Sequence, residues 1–365
     1  MKKTRILLIR SLDLLTDSRV HRYEKWLNEN HIEYKALGWN RENKNIERKN
    51  TKYFNLKAEY NLGINGIKYR IKWNLFLLKY LISNLNSYDI VHACDFDTIM
   101  PSLLMRLLGK FVIFDIFDWF SDEVKTNSEF INKIINVLEK TSVKLSDTVI
   151  ICEKERLKQM DVVPRKYIVL PNIPKINSVS KNKYVKNGFI NISYVGGFYP
   201  SRGLEELLEA ISELKNCILH IAGFGNLYIE EKVKIFDKKF ENIIYYGKVS
   251  YDKAIQIMNS SDVIYAMYYK DNKNNLYAAP NKFYEGIFLK KPIITTKGTL
   301  VGDKVKSHKS GYVLEEGKAE LINFLKDLRL EDLEKFNCDL DKNLKLYENE
   351  LENCMNEYSE CIKNI

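Results

Sequence analysis

Tyr194-Val195-Gly196-Gly197-Phe198-Tyr199-Pro200-Ser201-Arg202-Gly203, followed by LEELLEAISEL at 204–214, is the stretch that decides the fold. An apolar run beginning FINIS at 189–193 enters two glycines, and a helix-period pattern leaves the third. Strand, glycine turn and helix in that order form half of a crossover unit, which predicts a parallel sheet. The same turn has the parts that a diphosphate requires: close backbone approach, free amides, the positive end of a helix and a fixed cation at Arg202. A glycine turn beside a solvated arginine has the same letters, so the function depends on what surrounds it.

Outward from this turn the alternation continues. Downstream run CILHIAG, NIIYYG, DVIYAMY and PIITT, separated by helix-period stretches such as Leu204 to Leu214 and Tyr251 to Asn259. Upstream lie RILLI at 5–9, DIVHA at 89–93, FVIFDI at 111–116, DTVIIC at 147–152 and YIVLP at 167–171, with helical patterns over Val20 to Asn28, Leu75 to Leu85 and Phe130 to Leu145. Between the two series, PNIPKINSVSKNKYVKNG at 171–188 has no apolar period and reads as a linker. The expected fold class is therefore α/β, with two Rossmann-like domains over residues 1–175 and 176–340. A charged helix over 341–365 is expected to pack back on the first domain. Ligands of open α/β sheets bind at the carboxyl ends of the strands, so the chemistry is expected in the loops there, around an interdomain cleft.

Composition narrows the function. A chain of 365 residues with 45% apolar content supports two cores rather than one small module. Six cysteines without a C-x-x-C pair and five scattered histidines predict a reduced, cytoplasmic protein with no structural metal. The apolar run after Met1 is too short for a signal peptide, and no stretch approaches the roughly 18 apolar residues of a membrane span. Residues 1–180 hold 30 Lys+Arg against 21 Asp+Glu, whereas residues 181–365 balance at 27 and 27, so the whole net charge of +9 lies in the first half. No basic and aromatic nucleic-acid motif accompanies it.

A second informative stretch is Ala278-Ala279-Pro280-Asn281-Lys282-Phe283-Tyr284-Glu285-Gly286, leading to KKPIITT. Pro280 suits the first turn of a helix, which would turn the amides near Asn281 and Lys282 toward an anion. Glu285, one turn further, is either a ribose-binding carboxylate or an ordinary helix glutamate.

Taken in order, VGGFYPSRG, IAGFGNL at 221–227, YYGKVS at 245–250, SDVIYA at 261–266, PNKFYEG and KKPIITT make the chain resemble the retaining GT-B glycosyltransferases of family 4, glycosyl transferase group 1. That family's pattern runs V-G-R-L-x-x-x-K-G, A-G-x-G, G-x-V-S, A-D-V, then E-x7-E and K-P-V-I. More loosely, DSRVHRYEKWLNENHIEYKALGW, VHACDFDTIMPSLL and PNIPK resemble its first-domain segments. The resemblance implies a GT-B fold, a nucleotide sugar (UDP- or GDP-sugar) as co-substrate held by the second domain, and an acceptor on the first. No separate cofactor is implied.

Residue by residue, Arg202 matches the family lysine on the donor diphosphate and Glu285 the second glutamate of E-x7-E. The implied donor site is Gly196, Gly197, Arg202, Lys248, Pro280, Asn281, Lys282 and Glu285. The catalytic set is Asp118, Arg202 and Glu285, and the acceptor side is Asp95, Asp97 and Asp118. Three positions depart: Gly197 replaces the family's loop arginine, Tyr277 the first glutamate, and Phe117 a histidine near the reacting centre. Lys282 and Lys248 are candidates for the missing charge. Asp95-Phe96-Asp97 also imitates a D-x-D metal site, a reading set aside because the architecture around it differs.

For an enzyme of this type the resemblance implies that the departing phosphate handles the acceptor proton while Asp118 orients. Gly63 to Ser83 mixes Lys68, Arg70, Lys72 and Lys79 with Ile71, Trp73, Phe76 and Leu77 and holds no acid. It suits either packing on the first sheet or the face of an anionic membrane carrying a lipid-linked acceptor. Two rival functions remain open: a degenerate GT-B subunit that binds or scaffolds, and a sugar-nucleotide epimerase.

Overall fold

The computed structural model describes all residues except 1–3, 15, 16, 45, 59–65, 125, 175, 177–184, 186, 364 and 365. Most of the predicted linker, and Gly63 to Asn65 of the basic stretch, lie outside the described residues. The chain divides into two compact units, one of Met1–Pro171 with Leu351–Ile365 and one of Asn172–Glu350.

The first unit is built on seven parallel strands: β1 Arg5–Arg10, β2 Glu33–Asn40, β3 Thr51–Asn55, β4 Ile90–Cys94, β5 Phe111–Ile116, β6 Thr148–Ile151 and β7 Tyr167–Val169, in the order 3-2-1-4-5-6-7. β1, β4, β5 and β6 are buried almost throughout, as a sheet covered on both faces demands. Helices Ile67–Ser83, Phe96–Arg106 and Glu129–Leu145 cover one face. Helix Ser18–Glu29 and the end of helix Asn337–Lys363 cover the other, where Met355, Tyr358, Cys361 and Ile362 pack with Ile6, Leu8 and Tyr23.

The second unit repeats the plan with β8 Ile190–Phe198, β9 Cys217–Gly225, β10 Ile243–Tyr245, β11 Val263–Tyr265, β12 Ile293–Thr296 and β13 Gly311–Leu314, in the order 10-9-8-11-12-13. This is the doubly wound order 3-2-1-4-5-6, whose switch point lies between β8 and β11. The α/β, two-Rossmann reading holds. Three strands are additional to those read from sequence. β3, at the sheet edge, has no buried residue and carries Lys52, β2 opens on the exposed Glu33 and Lys35 before its buried half, and β13 is a four-residue edge strand, so none shows a clean apolar run.

Glycines let β8 and β9 approach. Gly223 has φ +148°, and a Cβ there would lie 1.8 Å from the Gly196 carbonyl oxygen. That contact has no room for any other residue, which explains the A-G-x-G run at the end of β9.

Candidate functional site

In the second unit Arg202 and Lys282, two of the residues predicted to hold a diphosphate, meet Gly196 and Gly197 at the switch point. β8 ends in Gly196, Gly197 and Phe198, and a short turn at Pro200–Arg202 delivers the chain to Gly203, whose φ of +60° starts helix Leu204–Glu213. A Cβ on Gly203 would meet the Tyr269 and Tyr265 hydroxyls at 2.6 and 2.7 Å, so this corner also requires glycine. The Tyr265 hydroxyl donates to the Gly203 carbonyl at 3.0 Å, and the Tyr194 hydroxyl donates to that of Gly197.

Arg202 is held rather than waving in solvent. Its guanidinium donates to Asn275 Oδ1 at 2.7 Å and lies 4.1 Å from the centre of the Tyr268 ring. Asn275 is itself buried and anchored to the Tyr269 carbonyl at 2.8 Å. Asn275 and Tyr268 were not singled out by sequence reading, because neither belongs to a pattern and only folding brings them to the turn.

Lys282 approaches the same turn from the other side. A Cβ on Gly196 would lie 2.5 Å from Lys282 Nζ, and that Nζ lies 5.5 Å from the centre of the Tyr194 ring. Burial pulls the ammonium pKa down, Glu285 pulls it back up and Arg202 lowers it further. Glu285 is buried on helix Asn281–Phe288; burial raises its carboxyl pKa, while Lys282 and a hydrogen bond from the Tyr251 hydroxyl oppose the rise. Pro280 corrects the sequence reading: it caps this helix with extended backbone instead of occupying its first turn. Lys248 is exposed after β10, two strands from β8, with Nζ 4.5 Å from the centre of the Phe224 ring. It does not join Arg202 and Lys282 among the described contacts.

At Gly197 a Cβ would first meet the Tyr199 ring, at 2.4 Å, and that ring is partly exposed, so a larger residue there requires the ring to move.

In the first unit the carboxyl edge gathers acids and arginines. Asp95 has φ +67° and ψ 168°, a region that is nearly exclusive to glycine and costs about 1–3 kcal/mol. It is held there by an ion pair with Arg10 and by the Phe117 amide, which donates to its Oδ1 at 2.9 Å. Asp97 accepts from Arg70 at 3.0 Å and from Ser11 at 3.2 Å. Each carboxylate of the D-x-D imitation thus faces its own arginine. Asp118 pairs with Arg156 at 3.1 Å through one oxygen, and its side chain is 58% exposed.

Phe117, where the resemblance implies a histidine, is clamped instead: Arg10 and Arg19 lie 4.1 and 4.6 Å from the centre of its ring. Behind it, His92, Cys94 and Asp115 group their ligand-type atoms within 4.8 Å of one another. Asp115 is already claimed by Arg19 at 2.5 Å, Tyr23 at 2.7 Å and His92 at 3.3 Å. Burial works to raise its pKa, but Arg19 and then His92 outweigh it and hold it low. His92 is a satisfied core histidine, its other nitrogen 3.0 Å from the Tyr358 hydroxyl.

Against known proteins, residues 190–328 match the family model for glycosyl transferases group 1. An uncharacterized glycosyltransferase of Methanocaldococcus jannaschii is 32% identical over 167 residues, which span 40% of this chain and 42% of that relative's length. Among solved structures, HepE of Anabaena in complex with UDP-glucose aligns over 99% of this chain and all of its own, with TM-score 0.65 at 11% identity. A Listeria monocytogenes protein provisionally described as a UDP-N-acetylglucosamine 2-epimerase aligns over 93% of this chain and 91% of its own, with TM-score 0.60 at 12% identity. Likeness at such low identity establishes the two-domain Rossmann-like fold alone. No described helix is long and apolar enough to cross a membrane.

Proposed function

We propose that this protein is a glycosyltransferase that holds a nucleotide sugar, UDP- or GDP-linked, on its second unit and passes the sugar to a hydroxyl acceptor with retention. The observation that carries this reading is the meeting of Arg202, Lys282 Nζ and the Gly196–Gly197 turn at the switch point, with Glu285 one helical turn beyond Lys282. Two cations answer a diphosphate, and they stabilise the charge that builds on it as its bond to the anomeric carbon breaks. To Glu285, hydrogen-bonded to Tyr251, we assign the acceptor for a ribose diol. Arg202 is pre-positioned by Tyr268 and Asn275, so little ordering is required on binding.

On the first unit, Asp95, Asp97 and Asp118 offer acceptors to a sugar hydroxyl. Asp118 is the most open of the three, and we assign it the orienting role while the departing phosphate takes the proton. The resemblance to family 4, the match over residues 190–328 and the M. jannaschii relative support the transferase reading.

Calorimetric titration with UDP- and GDP-sugars tests the donor site. Arg202→Ala and Glu285→Ala should each weaken binding about tenfold to a hundredfold. Unchanged affinity in both would overturn the assignment. A second reading is favoured by the Phe117 clamp, which puts an apolar ring where the family has histidine: a subunit that binds donor without turnover. Transfer of labelled sugar to a lipid or glycan extract separates the two, and conversion of donor without any acceptor would indicate an epimerase.

A further inference from the structure

We infer that the helical face of the first unit formed by Ile67–Ser83, Phe96–Arg106 and Glu129–Leu145 docks on an anionic lipid bilayer. The strongest sign is a helix turned inside out. In Glu129–Leu145 the buried residues are Glu139, Ser142 and Val143, whereas Phe130, Ile134, Val137 and Leu138 share the opposite side and are exposed, Phe130 at 72%. A surface helix of a protein that meets only water shows the reverse.

Its neighbours continue the pattern. Helix Ile67–Ser83 buries Trp73, Leu77 and Leu81 in the core, and a second apolar stripe, Ile71, Leu75 and Ile82, faces outward, with Leu75 62% exposed. Leu107, 83% exposed, follows the end of the helix that packs between these two. Apolar exposure on three adjacent helices is a patch, not a scatter of single residues.

Charge selects the occupant. On helix Ile67–Ser83, Lys68, Lys72 and Lys79 form a row beside the outward stripe, and Lys133 and Lys144 flank the stripe of Glu129–Leu145; all five are exposed. Of the acids on the three helices, Glu139 is buried and Asp97 is tied to Arg70, which leaves Glu129 exposed. Apolar side chains framed by lysines match acyl chains beneath anionic headgroups, with the lysine stems lying along the apolar surface and the ammonium groups at headgroup level. A second copy fits less well, because a two-fold contact sets the same patch on itself and brings lysine rows together.

Vesicle sedimentation of the full chain, without any nucleotide sugar, tests this independently of the donor site. The protein should pellet with phosphatidylglycerol–phosphatidylcholine vesicles and not with phosphatidylcholine alone, and binding should fall about tenfold between about 0.1 and 0.5 M salt. Two variants confined to exposed positions, Leu75→Glu/Ile134→Glu and Lys72→Glu/Lys133→Glu, should each lower binding at least about tenfold, with circular dichroism melting as in the parent. No pelleting, equal pelleting with neutral vesicles, or undiminished binding in both variants would overturn the inference. So would self-association that Leu75→Glu/Ile134→Glu abolishes in a protein that binds no vesicle.

Discussion

Arg202 and Lys282 reach the glycine turn on different terms. Arg202 is propped by an aromatic ring and an amide, whereas Lys282 and Glu285 each sit against their own charge: burial lowers one and raises the other, and their mutual attraction offsets only part of this. A pair of this kind costs the ligand-free chain stability and is commonly matched or exceeded by apolar replacements, by about 1–4 kcal/mol. We therefore expect Lys282→Met/Glu285→Leu to melt at or above the parent temperature while losing measurable binding of UDP- and GDP-sugars. Lower melting with intact binding would make the pair a structural feature instead.

At the scale of the element, helix Glu129–Leu145 ties the loop after β5 through one buried carboxylate. Glu139 accepts from the amides of Phe120 at 2.6 Å and Ser121 at 2.9 Å, next to Asp118. Burial pushes its carboxyl up to about 7 even though both amides and the Ser121 hydroxyl pull it down. The folded value lies above the unfolded one near 4.5, so this stabilising contribution is complete below about pH 4.5 and is lost as pH rises through about 7. The loss approaches about 3 kcal/mol. Urea unfolding should show the parent less stable at pH 8 than at pH 5, and Glu139→Gln should flatten that difference. An equal slope in the variant would place the pH dependence elsewhere.

At the scale of the molecule, the last fifteen residues complete a unit that begins at the other end of the chain. Met355, Tyr358, Cys361 and Ile362 are buried against the first sheet, and the Tyr358 hydroxyl meets His92, which in turn meets Asp115. Each large apolar side chain lost is worth about 1.5–3 kcal/mol, against a total stability of about 5–15 kcal/mol. A chain ending at Glu350 should lose cooperative unfolding of residues 1–171, seen as rapid proteolysis there, while residues 172–350 still bind nucleotide sugar. Protection of both units in the truncated chain would show that the first core closes without this helix.

The sequence by itself determined the α/β class, the two-part organisation and the strand–glycine–helix turn at 194–204, because buried parallel strands are continuous apolar runs and glycine corners are written locally. It also marked Arg202, Lys282 and Glu285, whose motifs are short and ordered along the chain. Only the tertiary structure decided that Tyr268 and Asn275 seat Arg202 and that Lys282 reaches Gly196. Helix Glu129–Leu145 was legible as a helix but not as one with its apolar side out, since periodicity gives the stripe and not the direction it faces. Those contacts join residues up to 86 positions apart, as between Gly196 and Lys282, and side chains so distant meet only when sheet order and helix packing bring them together.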